Sequence, residues 1–247
     1  MAKDKAYKLL ALQEGISNGK AKELIDKGVV TVEGKKLLVA RGEIGDKSIF
    51  KIKEIPKVTI IYQDDDILAV DKPAYLSASE VEEMFPDAKL LNRLDKETSG
   101  VMMLAKNEVF RGKAIKEFMD NRVYKEYVAI VEGKVIDEFK VDLPILTIKG
   151  KSAKSKIDLV KGKPALTIVT PYMVEGHKSK IQIVIENGRT HQIRVHLQYA
   201  GFPIVGDIQY GKPSTQVQRV MLHSKITKIM DYEFEAREPR EFFHFGF

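Results

Sequence analysis

The apolar residues of this chain come mostly in short runs of strand length, and that grain limits the available folds more than any other feature. Val58-Thr-Ile-Ile-Tyr62 and Ile67-Leu-Ala-Val-Asp71 flank an acidic turn at Asp64-Asp-Asp66, Val101-Met-Met-Leu-Ala105 follows a polar loop, and Val123–Val131 and Ile181–Ile185 come later. Such runs, bounded by turn residues, read as strands, and the first two read as a β-hairpin. Helical signals are fewer. Ser79 through Glu82 fits a capping box for a short helix to Phe85, and Asn107 can cap a longer one carrying Phe110, Ala114 and Phe118 at i, i+4, i+8. A doubly wound parallel sheet needs a regular strand and helix alternation that this chain lacks. The pattern predicts an α+β body with a mixed, largely antiparallel central sheet and flanking helices. The Lys/Gly/Ser-rich stretch from Lys149 to Lys163 reads as a mobile hairpin or insertion.

A second module precedes this body. Glu54-Ile-Pro-Lys57 looks like a short linker, which divides the chain into a domain at 1–55 and a larger one at 56–247. Residues 1–57 hold 13 Lys+Arg against 8 Asp+Glu, a charge of +5, whereas the other 190 residues carry +1. A basic module beside a nearly neutral body suggests an arm for a polyanion, because each neutralised phosphate releases counterions. Tyr7, Leu9 and Leu10 open one short helix, and Asn18 can cap a second whose Ala21, Leu24 and Ile25 recur until Gly28 stops it. Val29–Val32, Leu37–Val39 and Ser48–Ile52 then read as three strands, with a turn at Glu33-Gly-Lys35.

Several function classes drop out. The chain has no cysteine, which excludes a disulfide scaffold and a thiol nucleophile and fits a reducing compartment, the cytoplasm. No apolar run approaches the roughly 18–20 residues of a membrane span, and Met1-Ala-Lys-Asp-Lys-Ala-Tyr-Lys8 lacks a signal-peptide core. His191 and His196 are five apart, about 140° around a helix, so they do not share a metal-binding face. Neither a phosphate loop nor a dinucleotide fingerprint occurs, and Ser99 sits in T-S-G rather than in a hydrolase elbow. No metal or cofactor is expected.

What remains is Leu91-Asn-Arg-Leu-Asp-Lys-Glu-Thr-Ser-Gly100, a loop rich in charge and tight-turn residues that runs into an apolar strand. It resembles the R-L-D-x-x-T-S-G signature of the RluA family of pseudouridine synthases. Similar stretches follow the family's order: Lys72-Pro73, Lys125-Glu-Tyr-Val-Ala-Ile-Val-Glu-Gly133, and Gly188-Arg-Thr-His-Gln-Ile-Arg-Val-His-Leu197. Gly201, Pro203-Ile204, Gly206-Asp207, Tyr210-Gly211 and Leu222-His223 continue it. There are two departures: Asn92 stands where the family usually has His, and Tyr75 where it has Gly, the latter adding bulk near an RNA-facing edge. The first 50 or so residues resemble an RNA-binding domain of the S-four ribosomal-protein type, whose helices would present Lys20, Lys22 and Lys27 to RNA.

The resemblance implies the pseudouridine synthase fold and the site-specific isomerisation of uridine to pseudouridine in structured RNA, rRNA or tRNA, by a monomer. That reaction breaks the bond from the sugar to nitrogen 1 of uracil, turns the base, and rebonds the sugar to carbon 5, with no redox change and no group donor. Asp95 would attack or stabilise the sugar carbon and accept a proton. Arg194 would keep it ionised through a two-pronged hold, and Tyr127 would stack beside the flipped uracil. Arg93 would fill the space that the base vacates. Arg189, His191 and His223 would fix loops or contact the RNA backbone. The competing reading is a non-catalytic RNA-binding or ribosome-assembly factor on the same fold, which predicts damage at Asp95, Tyr127 or Arg194; all three are intact. A synthase-fold protein acting on small nucleosides is disfavoured by the basic module.

Overall fold

The short runs assemble into one large sheet and three small ones in a computed structural model that describes residues 3–148, 150, 153–214 and 216–245. Two compact units result. The first takes the described residues up to Lys57 together with those within 214–218, and the second takes Val58–Pro213 and the described residues from Arg219 onward.

In the first unit, β1 (Lys3–Lys5) leads into α1 (Ala6–Glu14), α2 (Asn18–Lys27), β2 (Val30–Val32), β3 (Lys35–Lys36), β4 (Glu43–Gly45) and β5 (Phe50–Ile52). β1 pairs with β4, and β3-β2-β5 forms the other sheet. The cap of α2 is Ser17 rather than Asn18: the Ser17 hydroxyl accepts the Lys20 N–H, and Asn18 is the first helical residue. Gly28 ends the helix at φ 77°, as its position predicts. Leu37–Val39 is not a strand. Only the Leu37 N–H continues the ladder, to Val30 O, while Leu38 and Val39 are exposed. Leu10, Ile25, Val30 and Phe50 form the buried centre.

The second unit contains β6 (Thr59–Gln63), β7 (Ile67–Lys72), α3 (Ala78–Met84), β8 (Lys89–Leu90), β9 (Ser99–Ala105), α4 (Glu108–Met119), β10 (Tyr124–Glu132) and β11 (Phe139–Asp142). β12 (Ile145–Ile148), β13 (Lys154–Ile157), β14 (Leu166–Glu175), β15 (Lys178–Ile185), α5 (Gln192–Tyr199), β16 (Leu222–Ile229) and β17 (Tyr232–Glu235) follow. The central sheet runs β11-β14-β15-β10-β16-β9-β7-β6, with β17 on β16 and β8 on β9. It is mixed and largely antiparallel, as the apolar pattern predicts. Within it β9 and β16 pair in parallel, at His223↔Ser99 and Ser224↔Gly100.

Local chemistry explains several bends of this path. Asp64 closes the β6–β7 hairpin by accepting the N–H groups of Asp66 and Ile67. The capping box of α3 belongs to Ser77 and Glu80, two residues before the expected pair. Both pairs fit the sequence rule, but the earlier start carries Ala78 and Val81, three apart, into the core. Asn107 caps α4 as expected, and Phe110 and Ala114 pack under β7 and β9 with Ile67, Ala69, Val101 and Met103. β12, just before the Lys-rich region, pairs as a hairpin with β13 inside it; Lys149, Lys151 and Ser152 of that region lie outside the described residues.

Candidate active site

The parallel junction of β9 and β16 fixes the loop that delivers Asp95. Gly100 there has φ 114°, and a Cβ on it would lie 2.0 Å from the Ser224 carbonyl oxygen. Only glycine lets the two backbones approach this closely. Upstream, Arg219 donates to Glu97 O at 3.1 Å and to Ser99 Oγ at 3.0 Å. Ser99 Oγ in turn lies 2.9 Å from His223 Nδ1, whose ring is fully buried and held neutral, its pKa pushed down to about 4 by burial. His223 is thus a loop-fixing group.

Lys72 and Tyr75 support the same loop from below. The Lys72 ammonium is completely buried and donates to Leu76 O at 2.8 Å, Pro73 O at 3.0 Å and Lys96 O at 3.4 Å. Tyr75 N donates to Lys96 O at 2.7 Å. Tyr75 does not stand at an exposed edge: its side chain is 1% accessible, and its φ of 74° lies in the region that glycine favours. The family's glycine at this position therefore answers to backbone geometry, and here a buried aromatic accepts the strain. Asn92 takes a defined place as well, its side-chain oxygen accepting Met103 N–H at 2.7 Å.

Burial, with Arg219 nearby, depresses Lys72 from its ordinary 10.5 to about 7. Between these values the unfolded chain binds the proton that the folded chain has released, so stability rises with pH. The stability of wild type relative to Lys72→Met is expected to increase from pH 7 toward pH 10, at up to about 1.4 kcal/mol per pH unit. Urea unfolding of both proteins across that range measures it; a pH-independent difference would contradict a depressed Lys72.

Asp95 opens into a pocket that also collects Arg93, Tyr127, Arg189, His191 and Arg194 against Leu94, Ile185, Ile193 and Leu222. Six of the residues singled out in the sequence therefore converge. Tyr127 projects from β10, and burial pushes its hydroxyl up to about 12. Arg93 is exposed at the rim, and the Arg189 side chain donates to Pro164 O at 3.0 Å. His191, the residue that precedes α5, and Arg194, in its first turn, both turn toward Asp95.

The guanidinium differs from expectation. Arg194 gives its fork to Asp207, Nε to Oδ2 at 2.7 Å and Nη2 to Oδ1 at 2.9 Å, and extends only Nη1 to Asp95 Oδ2, at 2.9 Å. The hold on Asp95 is single-pronged, and the two-pronged partner is the fully buried Asp207. Asp207 also accepts the N–H groups of Gln209 and Tyr210. Sequence reasoning passed over its role; the signal was a carboxylate inside Gly206-Asp207, next to Tyr210-Gly211, with no other assignment. His196 is a core histidine, with ring nitrogens 2.9 Å from Thr167 Oγ1 and 2.9 Å from Leu143 O.

Lys20, Lys22 and Lys27 belong to the first unit and do not form one patch. Lys20 and Lys27 both pair with Glu23, at 3.1 and 3.2 Å, whereas Lys22 sits about 150° around the helix, its ammonium 4.3 Å from the Tyr7 ring centre.

The mixed ten-stranded sheet thus brings Asp95, Arg194 and the buried Tyr127 to one pocket. Residues 66–199 match the family described as RNA pseudouridylate synthase, and the chain belongs to that family. An uncharacterized RNA pseudouridine synthase of Helicobacter pylori strain J99 is 46% identical over 240 residues, spanning 97% of this chain and 99% of the relative. Ribosomal large subunit pseudouridine synthase D of Vibrio parahaemolyticus is 32% identical over 228 residues, 81% of this chain and 67% of its own. Among solved structures, human RNA pseudouridylate synthase domain containing 1 superposes with a TM-score of 0.65 at 28% identity, covering 75% of this chain and 84% of the other. The protein is an isomerase that converts uridine to pseudouridine in RNA.

Proposed function

We propose that Asp95 is the group that engages the sugar, on a uridine flipped out of structured RNA. The observation that carries this reading is the Asp95–Arg194–Asp207 chain: a buried carboxylate fixes the guanidinium, and the guanidinium fixes a partly exposed carboxylate at the mouth of the pocket. In the reaction the bond from carbon 1′ to nitrogen 1 breaks with Asp95 attacking or stabilising carbon 1′. The freed uracil turns, carbon 5 bonds to carbon 1′, and the proton lost from carbon 5 is balanced by one gained at nitrogen 1. Tyr127 flanks the uracil, and Arg93 at the rim enters the space it leaves. Arg189 contacts the RNA backbone. The leucine and isoleucine wall of the pocket suits the flat faces of a base.

Arg194→Lys tests the chain of holds. An ammonium cannot fork onto Asp207 and reach Asp95 at once, so single-turnover rates are expected to fall by about a hundredfold while RNA binding stays near wild type. A wild-type rate would remove Arg194 from the mechanism.

The same proposal makes residues 1–55, which fall in the first unit, an S-four-type RNA-binding domain, and 56–247 the catalytic domain. The +5 charge of residues 1–57 supports it. Replacing Lys20, Lys22 and Lys27 by Gln is expected to lower the slope of log affinity against log salt by up to about 0.9 for each lysine that meets a phosphate. An unchanged slope would put the RNA-binding face elsewhere. The name of the Vibrio relative supports rRNA as the substrate class, with the enzyme acting as a cytoplasmic monomer. Mapping uridine-to-pseudouridine changes across total RNA from cells with and without the gene identifies the target, and no lost site would refute the activity.

A further inference from the structure

The two oxygens of Asp95 are treated unequally. Arg194 Nη1 donates to Oδ2 at 2.9 Å, and His191 Nε2 faces the same oxygen at 3.7 Å. Oδ1 accepts no hydrogen bond from any described residue. His191 reaches this place through a left-handed backbone, φ 55°, at the start of α5.

Its other ring nitrogen is also spoken for. Nδ1 lies 2.9 Å from the Tyr210 hydroxyl, and that oxygen accepts the N–H of Ser155 on β13 at 2.7 Å. The Tyr210 oxygen can accept from Ser155 while its hydroxyl donates to Nδ1; in that arrangement Nδ1 is the acceptor and the ring proton sits on Nε2, facing Asp95. The rings meet edge to face, 5.5 Å apart at 77°, which limits rotation of the imidazole. Burial holds His191 below its ordinary 6.5, so the ring stays neutral; the charges around it are Asp95, Arg194 and Asp207.

We infer that His191 is a positioning residue whose Nε2–H, aimed by Tyr210 and Ser155, closes on Asp95 Oδ2 together with Arg194 when RNA binds, committing Oδ1 to the sugar. The inference rests on Asp95 being the group that engages the sugar. At 3.7 Å the contact in the free protein is outside hydrogen-bond range, and a movement of less than about 1 Å brings it inside, a tightening common when substrate fills a site. Because Ser155 lies on β13, the β12–β13 hairpin acts on the nucleophile through the tautomer of one histidine.

The test combines a spectroscopic and a kinetic readout. Nitrogen-15 spectra of the wild-type imidazoles, with His191 assigned by its loss in His191→Asn, are expected to show the Nε2–H tautomer. In Tyr210→Phe the two tautomers are expected to mix. His191→Asn keeps a residue that tolerates positive φ but cannot reach Oδ2, so its single-turnover rate should fall by about tenfold with RNA affinity within about twofold of wild type. Tyr210→Phe, which leaves His191 in place, should fall less, and the double variant should be no slower than His191→Asn alone. An Nδ1–H tautomer in wild type, or wild-type rates in both single variants, would overturn the inference. Asp95→Asn measured alongside separates the cases: full activity there refutes the role of Asp95 itself, whereas its inactivity beside an unimpaired His191→Asn refutes only this inference.

Discussion

Asp95→Asn is expected to bind substrate RNA with near wild-type affinity and to form no detectable pseudouridine. The amide is almost isosteric, but it is neutral and a poor nucleophile, so attack on the sugar and proton acceptance disappear together. The surrounding fold has little reason to change. Arg194 keeps its fork on the buried Asp207, and the loop keeps its anchors on Arg219, Lys72 and His223. Asp95→Glu should also fail, because an extra methylene moves the carboxylate by roughly 1 Å, and misplacement on that scale costs about a hundredfold. The assay incubates each protein with RNA from a strain lacking the gene and quantifies pseudouridine at the mapped position. Product from Asp95→Asn, after deamidation is excluded by mass spectrometry, would require a different reacting group.

Gly100→Ala is expected to damage stability more than a single added methyl group normally does. The new Cβ would sit 2.0 Å from Ser224 O and 2.7 Å from Ser224 C and N, which are backbone atoms and cannot rotate away. Residue 100 also holds φ 114°, a conformation that L side chains rarely adopt. Relief requires β9 and β16 to separate, at about 3 kcal/mol or more. Chemical denaturation measures the loss, and activity should fall with it because the junction fixes the loop that carries Asp95. Wild-type stability in Gly100→Ala would mean that the two strands lie farther apart than described.

Legibility in the sequence followed the range of the interactions concerned. The β6–β7 hairpin and the cap at Asn107 depend on neighbours within a few residues, and short-range chemistry is what sequence displays; the loop at Leu91–Gly100 was legible through its motif, while its anchors on Arg219 and His223 lie far along the chain. β14 escaped notice because Pro171 interrupts its pattern; the strand absorbs that proline at a register shift between Pro171 and Met173. β13, Lys-Ser-Lys-Ile, carries too little apolar character to read as a strand and depends on its partner β12. Leu37–Val39 failed the other way, since an apolar triplet without a second pairing partner stayed outside the sheet. Asp207 is the clearest case in the site. Its value lies in the fork it accepts from Arg194, 13 residues away on α5, and no local spacing announces that.

The parallel pairing at Ser99 and His223 joins residues 124 positions apart, and Arg219 reaches Ser99 across 120. Contacts of such long span make folding slow, because most of the chain must be ordered before they form. On the ribosome, the segment bearing Asp95 emerges well before the strand that locks it. The loop bearing Asp95 therefore lacks its Arg219 and His223 anchors until synthesis passes β16.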